Sequence, residues 1–453
     1  MFRKVLIANR GAAAARILRA LKALGIGSVV VYADVDRELP YVAAADEAIL
    51  LRGANPRAVY LDQQGLLDAL AQSGADALHP GYGFLSEHAD FAARVEAAGV
   101  RFIGPAARWL EAMGHKTRAR DLMAAHGMPM APSSPLLGDD EAEILAAAAA
   151  LGYPLLVKPA GGGGGIGMLP AHDDAGLLKA VAQARQAATR SFGCGDVYLE
   201  RLMTAPRHIE FQVLADCAGQ AAVLFERDCS VQRRHQKIVE EAPAPGLSRA
   251  DADAMAARIN EVMQRLGYDN IGTVETLAAA GSFDFLEMNT RLQVEHAVTE
   301  AVTGVDLVQA QIRLAAGEPL HTVLPARPVL TGHAIEARLY AEDPVRFLPS
   351  PGRLNVLRWP RHDGLRIESG YAEGNVMTPH FDPMIAKLIV HAPSREEAMD
   401  QLARALTETR IEGVKTNIPF LLQLLRDADF RAGRVHTGLA AQVVEALRLA
   451  AAA

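Results

Sequence analysis

Short apolar runs alternate with helix-like segments over the N-terminal part of the chain. Residues 4–9, KVLIAN, have the pattern of a buried strand, and residues 12–25, AAAARILRALKALG, have helical spacing that ends at a glycine. A second apolar run, SVVVYA, occupies residues 28–33, and ADALHPG and VRFIGP continue the series. Strand, glycine turn, helix and strand in this order predict an α/β domain with a parallel sheet over residues 1–113.

The pattern changes at the segment GMPMAPSSPLLGDDEAE, which is rich in proline, serine and glycine. An alanine-rich helix, AEILAAAAALG, a strand, PLLVKPA, and a glycine-rich stretch follow it. We therefore predict a small second domain over residues 114–203. Strand-like segments such as HIEFQVLAD and AAVLFERD then mix with helices, and residues 204–453 are predicted to form a larger third unit.

Composition narrows the class of protein. The 453 residues carry a net charge of −7, which gives no basic face for a nucleic acid. The N-terminal apolar run is too short for a signal peptide, and no stretch reaches the roughly 20 apolar residues of a membrane span. The 3 cysteines are odd in number and unevenly spaced, which predicts a reduced, cytoplasmic protein without a disulfide framework or a zinc site.

The stretch LLVKPAGGGGGIGM, residues 155–168, is the first candidate for chemistry. Backbone N–H groups of a glycine-rich loop can surround phosphate oxygens, and Lys158 supplies a positive charge beside them. The spacing matches neither a P-loop nor a dinucleotide-binding fingerprint. A flexible linker is the alternative, but the flanking apolar strand and Met168 favour a lid over phosphates.

The segment FLEMNTRLQVEH is the second candidate. Polar side chains at every second position would share one face of an extended chain. They are Glu287, Asn289, Arg291, Gln293 and Glu295. A solvated strand face gives the same alternation. If Ala280–Ser282 form a three-residue hairpin loop, Glu275 lies opposite Glu287, and two carboxylates with an amide oxygen would suit Mg²⁺ or Mn²⁺ that bridges phosphates.

This polar run is too long for a single small site. Nine extended residues span roughly 26 Å, so the run must bend. We assign Glu287 and Asn289 to the metal, and Arg291 and Gln293 to a small planar oxyanion, with Glu295 as its general base.

Other segments leave two interpretations open. Lys237 in VQRRHQK would contact an anion or belong to a basic surface patch. Tyr82 in HPGYGFLSE would face a ligand at a strand end or lie in a structural turn. Arg338 and Glu336 have the spacing of a surface ion pair on a strand, and His208 has the context of a core histidine.

In chain order, these and further segments resemble the biotin carboxylases of the ATP-grasp superfamily. The segments are ANRG, HPGYGFLSE, GGGGGIGM, ERDCSVQRRHQK, EEAPAP, EMNTRLQVEH, FLPSPG and DPMIAKLI. The resemblance covers essentially the whole chain. It implies an N-terminal α/β domain before a two-part ATP-grasp fold with a small glycine-rich lid, so that residues 204–453 would combine the large ATP-grasp part with the C-terminal biotin carboxylase domain.

The resemblance also implies roles for individual residues. ATP would be contacted by Lys116, Lys158, Gly163, Gly164, Gly165, Gly167, Met168, Glu200, Leu202, His208, Gln232, His235, Glu275 and Glu287. The metal ligands would be Glu275, Glu287 and Asn289. Bicarbonate and biotin would be bound by Arg291, Gln293, Val294, Lys237, Arg338 and Tyr82. The catalytic group would comprise Glu295 as base and Arg338 beside the biotin enolate, with Lys237 and Arg291. Arg16, Arg19 and Arg366 match positions near a family dimer interface.

The implied activity is the ATP-dependent carboxylation of biotin by bicarbonate through carboxyphosphate, the first half-reaction of a multisubunit carboxylase. Biotin would be attached to a separate carrier protein, with a carboxyltransferase as another chain, because the sequence contains no AMKM-type biotinylation site. A homodimer is expected. The final acceptor, an acyl-CoA such as acetyl-CoA or propionyl-CoA, or urea, stays open. The alternatives are another ATP-grasp carboxylate–amine ligase and a degenerate nucleotide-binding subunit.

The chain departs from the family pattern at several positions. Ala12, His115 and Ala297 replace residues that the family usually carries there. Ile166 replaces an arginine or lysine that the family lid usually carries. An isoleucine at this position is similar to the lid of the urea carboxylase branch, whereas His235 does not match that branch. We expect the loss of this cation to alter nucleotide affinity or lid closure.

Overall fold

Three large sheets and two small ones organise the chain. The computed structural model describes residues 1–53, 55–161, 166–233, 236–279 and 281–452. Of the predicted site residues, Gly163, Gly164, Gly165 and His235 lie outside the described residues. None of the helices in the described ranges is both long enough and apolar enough to cross a bilayer.

The N-terminal part contains the predicted parallel sheet. Its strands are β1 (Lys4–Ile7), β2 (Gly27–Tyr32), β3 (Glu47–Leu50), β4 (Ala77–His79) and β5 (Arg101–Phe102), in the order β3-β2-β1-β4-β5. Its helices are α1 (Gly11–Ala23), α2 (Pro40–Ala44), α3 (Gln63–Ser73), α4 (Ala89–Ala97) and α5 (Ala107–Gly114), with 3₁₀ turns at Asp34–Asp36 and Ala58–Leu61. The predicted strand–helix–strand opening is confirmed.

The apolar run of β1 explains this arrangement. Val5 and Ile7 pack on one side of the sheet and Leu6 on the other, and all three are fully buried. A strand covered on both faces needs a continuous apolar run rather than alternation. The strand order reverses between β1 and β4, and ligands of open α/β sheets bind at such a point.

A four-stranded antiparallel sheet forms the small lid. Helix α6 (Lys116–Ala125) precedes the lid and packs into the core of the large sheet described below. The lid elements are β6 (Ser133–Leu136), α7 (Glu141–Leu151), β7 (Leu155–Pro159), β8 (Leu169–Ala171), α8 (Asp174–Phe192) and β9 (Val197–Arg201), with the strand order β6-β9-β7-β8. The glycine-rich stretch connects β7 to β8. Leu155, Val157, Leu177 and Leu199 belong to a core separate from the other sheets.

The rest of the chain is built around one eight-stranded antiparallel sheet. Its strands are β10 (Arg207–Ala215), β11 (Ala221–Arg233), β12 (Gln236–Ala242), β13 (Asn270–Ala279), β14 (Ser282–Asn289), β15 (His333–Tyr340), β18 (Leu365–Ser369) and β20 (Met384–Ala392), in the order β14-β13-β10-β11-β12-β15-β20-β18. Strands β16 (Gly352–Arg353), β17 (Val356–Arg358), β19 (Val376–Met377) and β21 (Arg410–Glu412) form the two small sheets. The helices are α9 (Arg249–Leu266), α10 (His296–Thr303), α11 (Leu307–Ala315), α12 (Leu320–Val323), α13 (Arg395–Glu408), α14 (Ile418–Leu424), α15 (Ala428–Arg431) and α16 (Leu439–Ala452).

The pairing of β12 with β15 makes this large sheet continuous. Strands from the first and last parts of the predicted third unit therefore share one hydrogen-bonded layer. The domain boundaries at residues 113 and 203 stay predictions.

Candidate active site

A cleft of about 710 Å³ is lined by residues of both the lid sheet and the large sheet. The predicted site residues that line it are Lys116, Lys158, Met168, Glu200, Leu202, His208, Gln232, Lys237, Glu275, Glu287, Asn289, Arg291, Gln293, Val294, Glu295 and Arg338. These residues belong to segments that lie far apart in the sequence. Of the described predicted residues, Gly167 and Tyr82 do not line this cleft.

The hairpin of β13 and β14 brings two carboxylates together. Glu275 and Glu287 are cross-strand partners, so the predicted pairing is confirmed. The predicted three-residue loop is wrong, because Ala279 pairs with Ser282 and leaves a two-residue connection. A β-bulge after Glu275 adds the missing residue and restores the pairing. Ala280 lies outside the described residues.

The polar run bends where β14 ends, as its length required. Residues 290–295 form an irregular segment before α10. Glu87 of the N-terminal domain accepts hydrogen bonds from the Thr290 amide at 3.0 Å and from Arg291 Nε at 2.7 Å. Arg291 also donates to Asn289 Oδ1 at 2.8 Å and to Gln293 Oε1 at 3.2 Å. The guanidinium is therefore fixed beside the amide of Gln293.

Lys237 lies at the centre of three carboxylates. Its Nζ donates to Glu210 at 2.5 Å, to Glu275 at 2.7 Å and to Glu295 at 2.7 Å. Burial alone would lower the pKa of Lys237, but the three carboxylates more than offset this and raise it well above its ordinary value. The ammonium is therefore charged at neutral pH and holds the acidic side chains in place.

Glu295 is fully buried and ionised. Burial would raise the pKa of its carboxyl group, but the positive charges of Lys237, Arg338 and Arg227 together hold that pKa well below its usual range. Arg338 Nη2 donates to Glu295 Oε2 at 3.0 Å. An ionised carboxylate at this position can accept a proton, as the predicted base must.

Arg338 does not form the surface ion pair with Glu336 that its spacing suggested. Both side chains are buried, and Arg338 Nε donates instead to Glu240 at 2.6 Å. Burial raises the pKa of Glu240 to about 7, although Arg338 opposes this shift. The guanidinium of Arg338 therefore lies at the cleft and not at the outer surface of the protein.

A second cavity, of about 670 Å³, is also lined by Val294 and Arg338. Tyr82 lies in its wall. Asn9 Nδ2 holds the Tyr82 loop by donating to the carbonyl oxygens of Pro80 at 2.7 Å and Tyr82 at 2.8 Å. The two cavities thus meet at Arg338.

Gly81 allows this close approach. Its φ is +66°, and a Cβ atom there would lie 2.7 Å from Asn9 Nδ2. Any other residue would therefore be strained and would displace the asparagine.

The lid contributes a second, smaller ion-pair group. Lys158 is buried and donates from Nζ to Glu200 Oε1 at 3.0 Å, while Arg120 donates to Glu200 Oε2 at 2.9 Å. Gly167 has a φ of +77°, and a Cβ atom there would lie 3.0 Å from Pro159. A glycine is required at that turn, which explains its place in the lid even though it does not line the cleft.

His208 joins the same cleft through two polar contacts. Its Nδ1 lies 2.9 Å from Gln232 Nε2, and its Nε2 lies 3.1 Å from Glu275 Oε2. Lys116 Nζ lies 3.4 Å from Glu287. His208 is buried, but it faces the cleft and is not an isolated core histidine.

The residues assigned to the metal have suitable chemistry. Glu275, Glu287 and Asn289 all line the cleft, and the two carboxylates are direct cross-strand partners. Two carboxylates and an amide oxygen are the hard donors that Mg²⁺ and Mn²⁺ prefer. The donor set therefore fits the predicted metal.

The predicted dimer residues form a charged group away from the cleft. Arg16 is buried and donates to Glu300 at 2.8 Å and to Asp306 at 2.6 Å. Arg19 and Arg366 both contact Glu368, and their side chains are 49% and 35% exposed. Arg19 is exposed and Arg366 is partly exposed, so both retain surface that a second molecule could contact.

Comparisons with known proteins identify the family of the chain. Family models describe residues 1–110 as a biotin carboxylase N-terminal domain, residues 115–323 as the ATP-binding domain of the carbamoyl-phosphate synthase L chain, and residues 336–442 as a biotin carboxylase C-terminal domain. A biotin carboxylase of Halalkalibacterium halodurans is 47% identical over 96% of this chain and 97% of its own. The chain belongs to the biotin carboxylase family.

Solved structures of the family have the same fold. The biotin carboxylase domain dimer of the Hydrogenobacter thermophilus 2-oxoglutarate carboxylase, in complex with MgADP, ADP and bicarbonate, is 42% identical with a TM-score of 0.92 over 97% of each chain. The Campylobacter jejuni biotin carboxylase–β-γ-ATP complex is 37% identical with a TM-score of 0.94 over 98% of this chain and 99% of its own. The α/β domain followed by an ATP-grasp fold with a lid is therefore correct.

Several residues around this biotin carboxylase site were missed by sequence analysis. Glu210 contacts both Lys237 and the fully buried Arg227, and the alternation of His208 and Glu210 along β10 was an available signal. Lys387 was detectable as a lone cation in the apolar strand MIAKLIVHA. The contact of Glu87 with the bent segment had no signal, because it joins positions about two hundred residues apart.

Proposed function

We propose that this chain carboxylates biotin with bicarbonate in an ATP-dependent reaction, the first half-reaction of a biotin-dependent carboxylase. The observation that carries the proposal is the position of Glu295. This ionised carboxylate lies between Lys237 and Arg338, in a cleft that meets a second cavity at Arg338. A base beside two cations suits a small anion that must lose a proton.

We assign the lid side of the cleft to ATP. Lys116 and Lys158 supply positive charge for phosphates, and Leu202 and Met168 supply apolar surface. Glu275, Glu287 and Asn289 would hold Mg²⁺ or Mn²⁺, which when bound neutralises charge on the phosphate oxygens. The Hydrogenobacter thermophilus domain, with MgADP and bicarbonate, supports this assignment.

We assign Arg291, Gln293 and the Val294 amide to bicarbonate. Glu295 takes the bicarbonate proton, and the resulting oxyanion attacks the γ-phosphorus of ATP, with ADP as the leaving group. The product, carboxyphosphate, breaks into CO₂ and phosphate. Closure of the lid would keep water away from this labile intermediate.

We assign the second cavity to biotin. The phosphate released from carboxyphosphate removes the N1 proton of biotin. The N1 atom of the resulting enolate then attacks CO₂ and becomes carboxylated. The guanidinium of Arg338 stabilises the enolate oxygen, because its charge faces both cavities. Tyr82 forms part of the wall on the biotin side.

The partners follow from the same reaction. We propose a homodimer, supported by the dimeric Hydrogenobacter thermophilus domain and by the accessible surface of Arg19 and Arg366. A biotin carboxyl carrier protein and a carboxyltransferase would be separate chains. Cytoplasmic location stays a prediction that rests on the free cysteines.

Phosphate release from ATP tests the proposed function. We expect release that depends on bicarbonate and increases with free biotin. Glu295→Gln should lower this release by about 10³-fold, because the isosteric amide cannot accept the proton. Glu226→Gln is the matched control, since Glu226 is also buried and ion-paired, to Arg249, but lines neither cavity.

Two results would contradict the proposal. Phosphate release that needs another carboxylate and an amine but no bicarbonate would indicate a different ATP-grasp ligase. ATP binding without any turnover would indicate a degenerate subunit.

A further inference from the structure

Lys387 is a fully buried cation that the proposed reaction does not use. It lies on β20, and its Nζ donates to the carbonyl oxygen of Val294 at 2.5 Å. Its other close partners are Glu368 Oε2 at 2.9 Å and Glu336 Oε2 at 3.5 Å. Lys387 lines neither the main cleft nor the second cavity. A direct contact with either substrate is therefore not its role.

The carbonyl that Lys387 holds belongs to the irregular segment before α10. In the described part of the chain, no backbone N–H donates to Val294 O. The preceding carbonyl, that of Gln293, lies 2.7 Å from His296 Nδ1. Val294 and Glu295 lie in a turn that the His296 amide closes by donating to Gln293 O at 3.4 Å. The Val294 carbonyl itself is held by the side chain of Lys387 and not by a helix or a strand.

Planarity of the peptide bond connects this contact to the base. The Val294 carbonyl and the Glu295 amide belong to one rigid plane that ends at the Cα of Glu295. An ammonium that fixes the carbonyl therefore fixes the origin of the Glu295 side chain. Movement of this plane also changes the backbone of Val294, whose amide is assigned to bicarbonate.

The local charges keep this contact in place. Burial alone would lower the pKa of Lys387, but Glu336 and Glu368 more than offset this and raise it. Hydrogen bonds between a charged donor and a carbonyl are stronger than neutral ones. The lysine thus stays an ammonium and holds the peptide strongly.

We propose that Lys387 is a positioning residue for the bicarbonate side of the active site, which it orders by holding the Val294–Glu295 peptide. This inference rests on the proposed function, since it assumes that Val294 and Glu295 act on bicarbonate. It distinguishes Lys387 from Lys158, which lines the nucleotide side. Loss of Lys387 should therefore affect the two substrates unequally.

The test measures bicarbonate-dependent phosphate release with each substrate varied in turn. For Lys387→Met we expect kcat to fall by at least about tenfold and the KM for bicarbonate to rise by about tenfold, because small misplacement of a reacting group has a large effect. The KM for ATP should stay within about twofold of the wild-type value. A role in folding alone would lower the amount of active enzyme and leave both KM values unchanged.

A second variant keeps the buried site neutral once the cation is lost. Lys387→Met is combined with Glu336→Gln, because Glu336 Oε2 lies 3.5 Å from Lys387 Nζ and its carboxyl group has no hydrogen-bond partner among the described residues. We expect this double variant to fold and to keep the raised KM for bicarbonate. Arg395→Met is the matched control, because Arg395 also pairs with a buried carboxylate, Glu241, and also donates to backbone carbonyls, but those carbonyls belong to Phe430 and Arg431, which line neither cavity.

The possible results distinguish a failure of the proposed function from a failure of the role proposed for Lys387. A wild-type protein without bicarbonate-dependent release overturns the proposed function and this inference together. Normal wild-type release with unchanged kinetic constants in the folded double variant overturns the inference alone. Equal increases in the KM for ATP and for bicarbonate, or the same changes in Arg395→Met, also overturn it.

Discussion

The two ends of the cleft hold their charges in different ways. At the deep end, Lys237 contacts three carboxylates, and Glu295 contacts both Lys237 and Arg338. At the lid end, Lys158 has one acidic partner, Glu200, at 3.0 Å. The deep end is thus a network in which each group fixes several others, whereas the lid end has a smaller group in which Glu200 alone joins Lys158 and Arg120.

This difference follows from the elements that supply the side chains. The deep end draws on two pairs of neighbouring strands of the eight-stranded sheet, β13 with β10 and β12 with β15, which are separated by β11, and on the start of α10. The lid end draws on a separate sheet with a separate core. Groups on one sheet keep their spacing before substrate arrives, whereas groups on the lid are held by a different sheet. We therefore propose that proton transfer occurs at the deep end and substrate capture at the lid.

The largest effect is expected from the centre of the deep network. Lys237→Met should lower bicarbonate-dependent turnover by about 10²–10³-fold, because three buried carboxylates lose their shared cation. The pKa of Glu295 should rise, so the remaining activity should need a higher pH. A pH–rate profile measures both effects. Lys415→Met removes a cation from an exposed pair with Asp343 and should match wild type. Equal turnover of the two variants would contradict a network.

A smaller and more selective effect is expected at the lid end. Lys158→Met should raise the KM for ATP by about tenfold, since one charged contact to a phosphate is lost. The KM for bicarbonate should stay close to the wild-type value. Lys179→Met, at an exposed position on α8 of the same domain, is the control. If Lys158→Met changed the KM for bicarbonate as strongly, the two ends would not be separable.

Sequence analysis grouped strand residues that line one cleft in the structure, for a physical reason. Strands place alternate residues on one face, so Glu287 and Asn289 could be grouped before their surroundings were known. The pairing of Glu275 with Glu287 was right although the loop was wrong, because the bulge after Glu275 compensates for the shorter turn. The periodicity of the sequence cannot reveal a shorter turn and a bulge that compensate for each other.

The residues that support the base could not be derived in this way. Lys387 reaches Val294 from a strand 93 positions later in the chain, and Glu87 reaches Arg291 across 204 positions. Burial also reversed an expectation, since Arg338 and Glu336 have the spacing of an exposed pair but lie inside the sheet. Tertiary packing, which no local pattern encodes, decides these contacts.

The buried carboxyl group of Glu336 makes the stability of the fold depend on pH. Burial raises the pKa of Glu336 to about 8, with Glu240 and Glu368 adding to the shift and Lys387 and Arg338 opposing it. The folded protein therefore binds a proton that the unfolded chain releases near its ordinary pKa of 4.5. This contribution to stability is complete below pH 4.5 and is lost as the pH rises to about 8.

Glu336→Gln should remove that pH dependence. The thermal midpoint of the variant, relative to wild type, should be about 2–4 °C more favourable at pH 8 than at pH 5, because glutamine cannot ionise. Thermal melts at the two pH values measure it. In Glu241→Gln the difference from wild type should not change over this range, since His333 and Arg395 keep the pKa of Glu241 below its ordinary value despite burial. A constant difference for Glu336→Gln would show that Glu336 is ionised in the fold.

The smallest effect is expected at the tip of the lid, where Ile166 is 49% exposed and replaces a cation usual in the family. Ile166→Arg should lower the KM for ATP by about two- to fivefold, because an exposed charge pair contributes less than about 1 kcal/mol. The gain should shrink as salt is raised, since the charge is screened by solvent. Ile166→Gln separates charge from polarity and should leave the KM for ATP unchanged. If the arginine and glutamine variants had the same KM at low salt, the missing cation would not affect capture, and the selectivity of the lid end would rest on Lys158 and the glycine backbone.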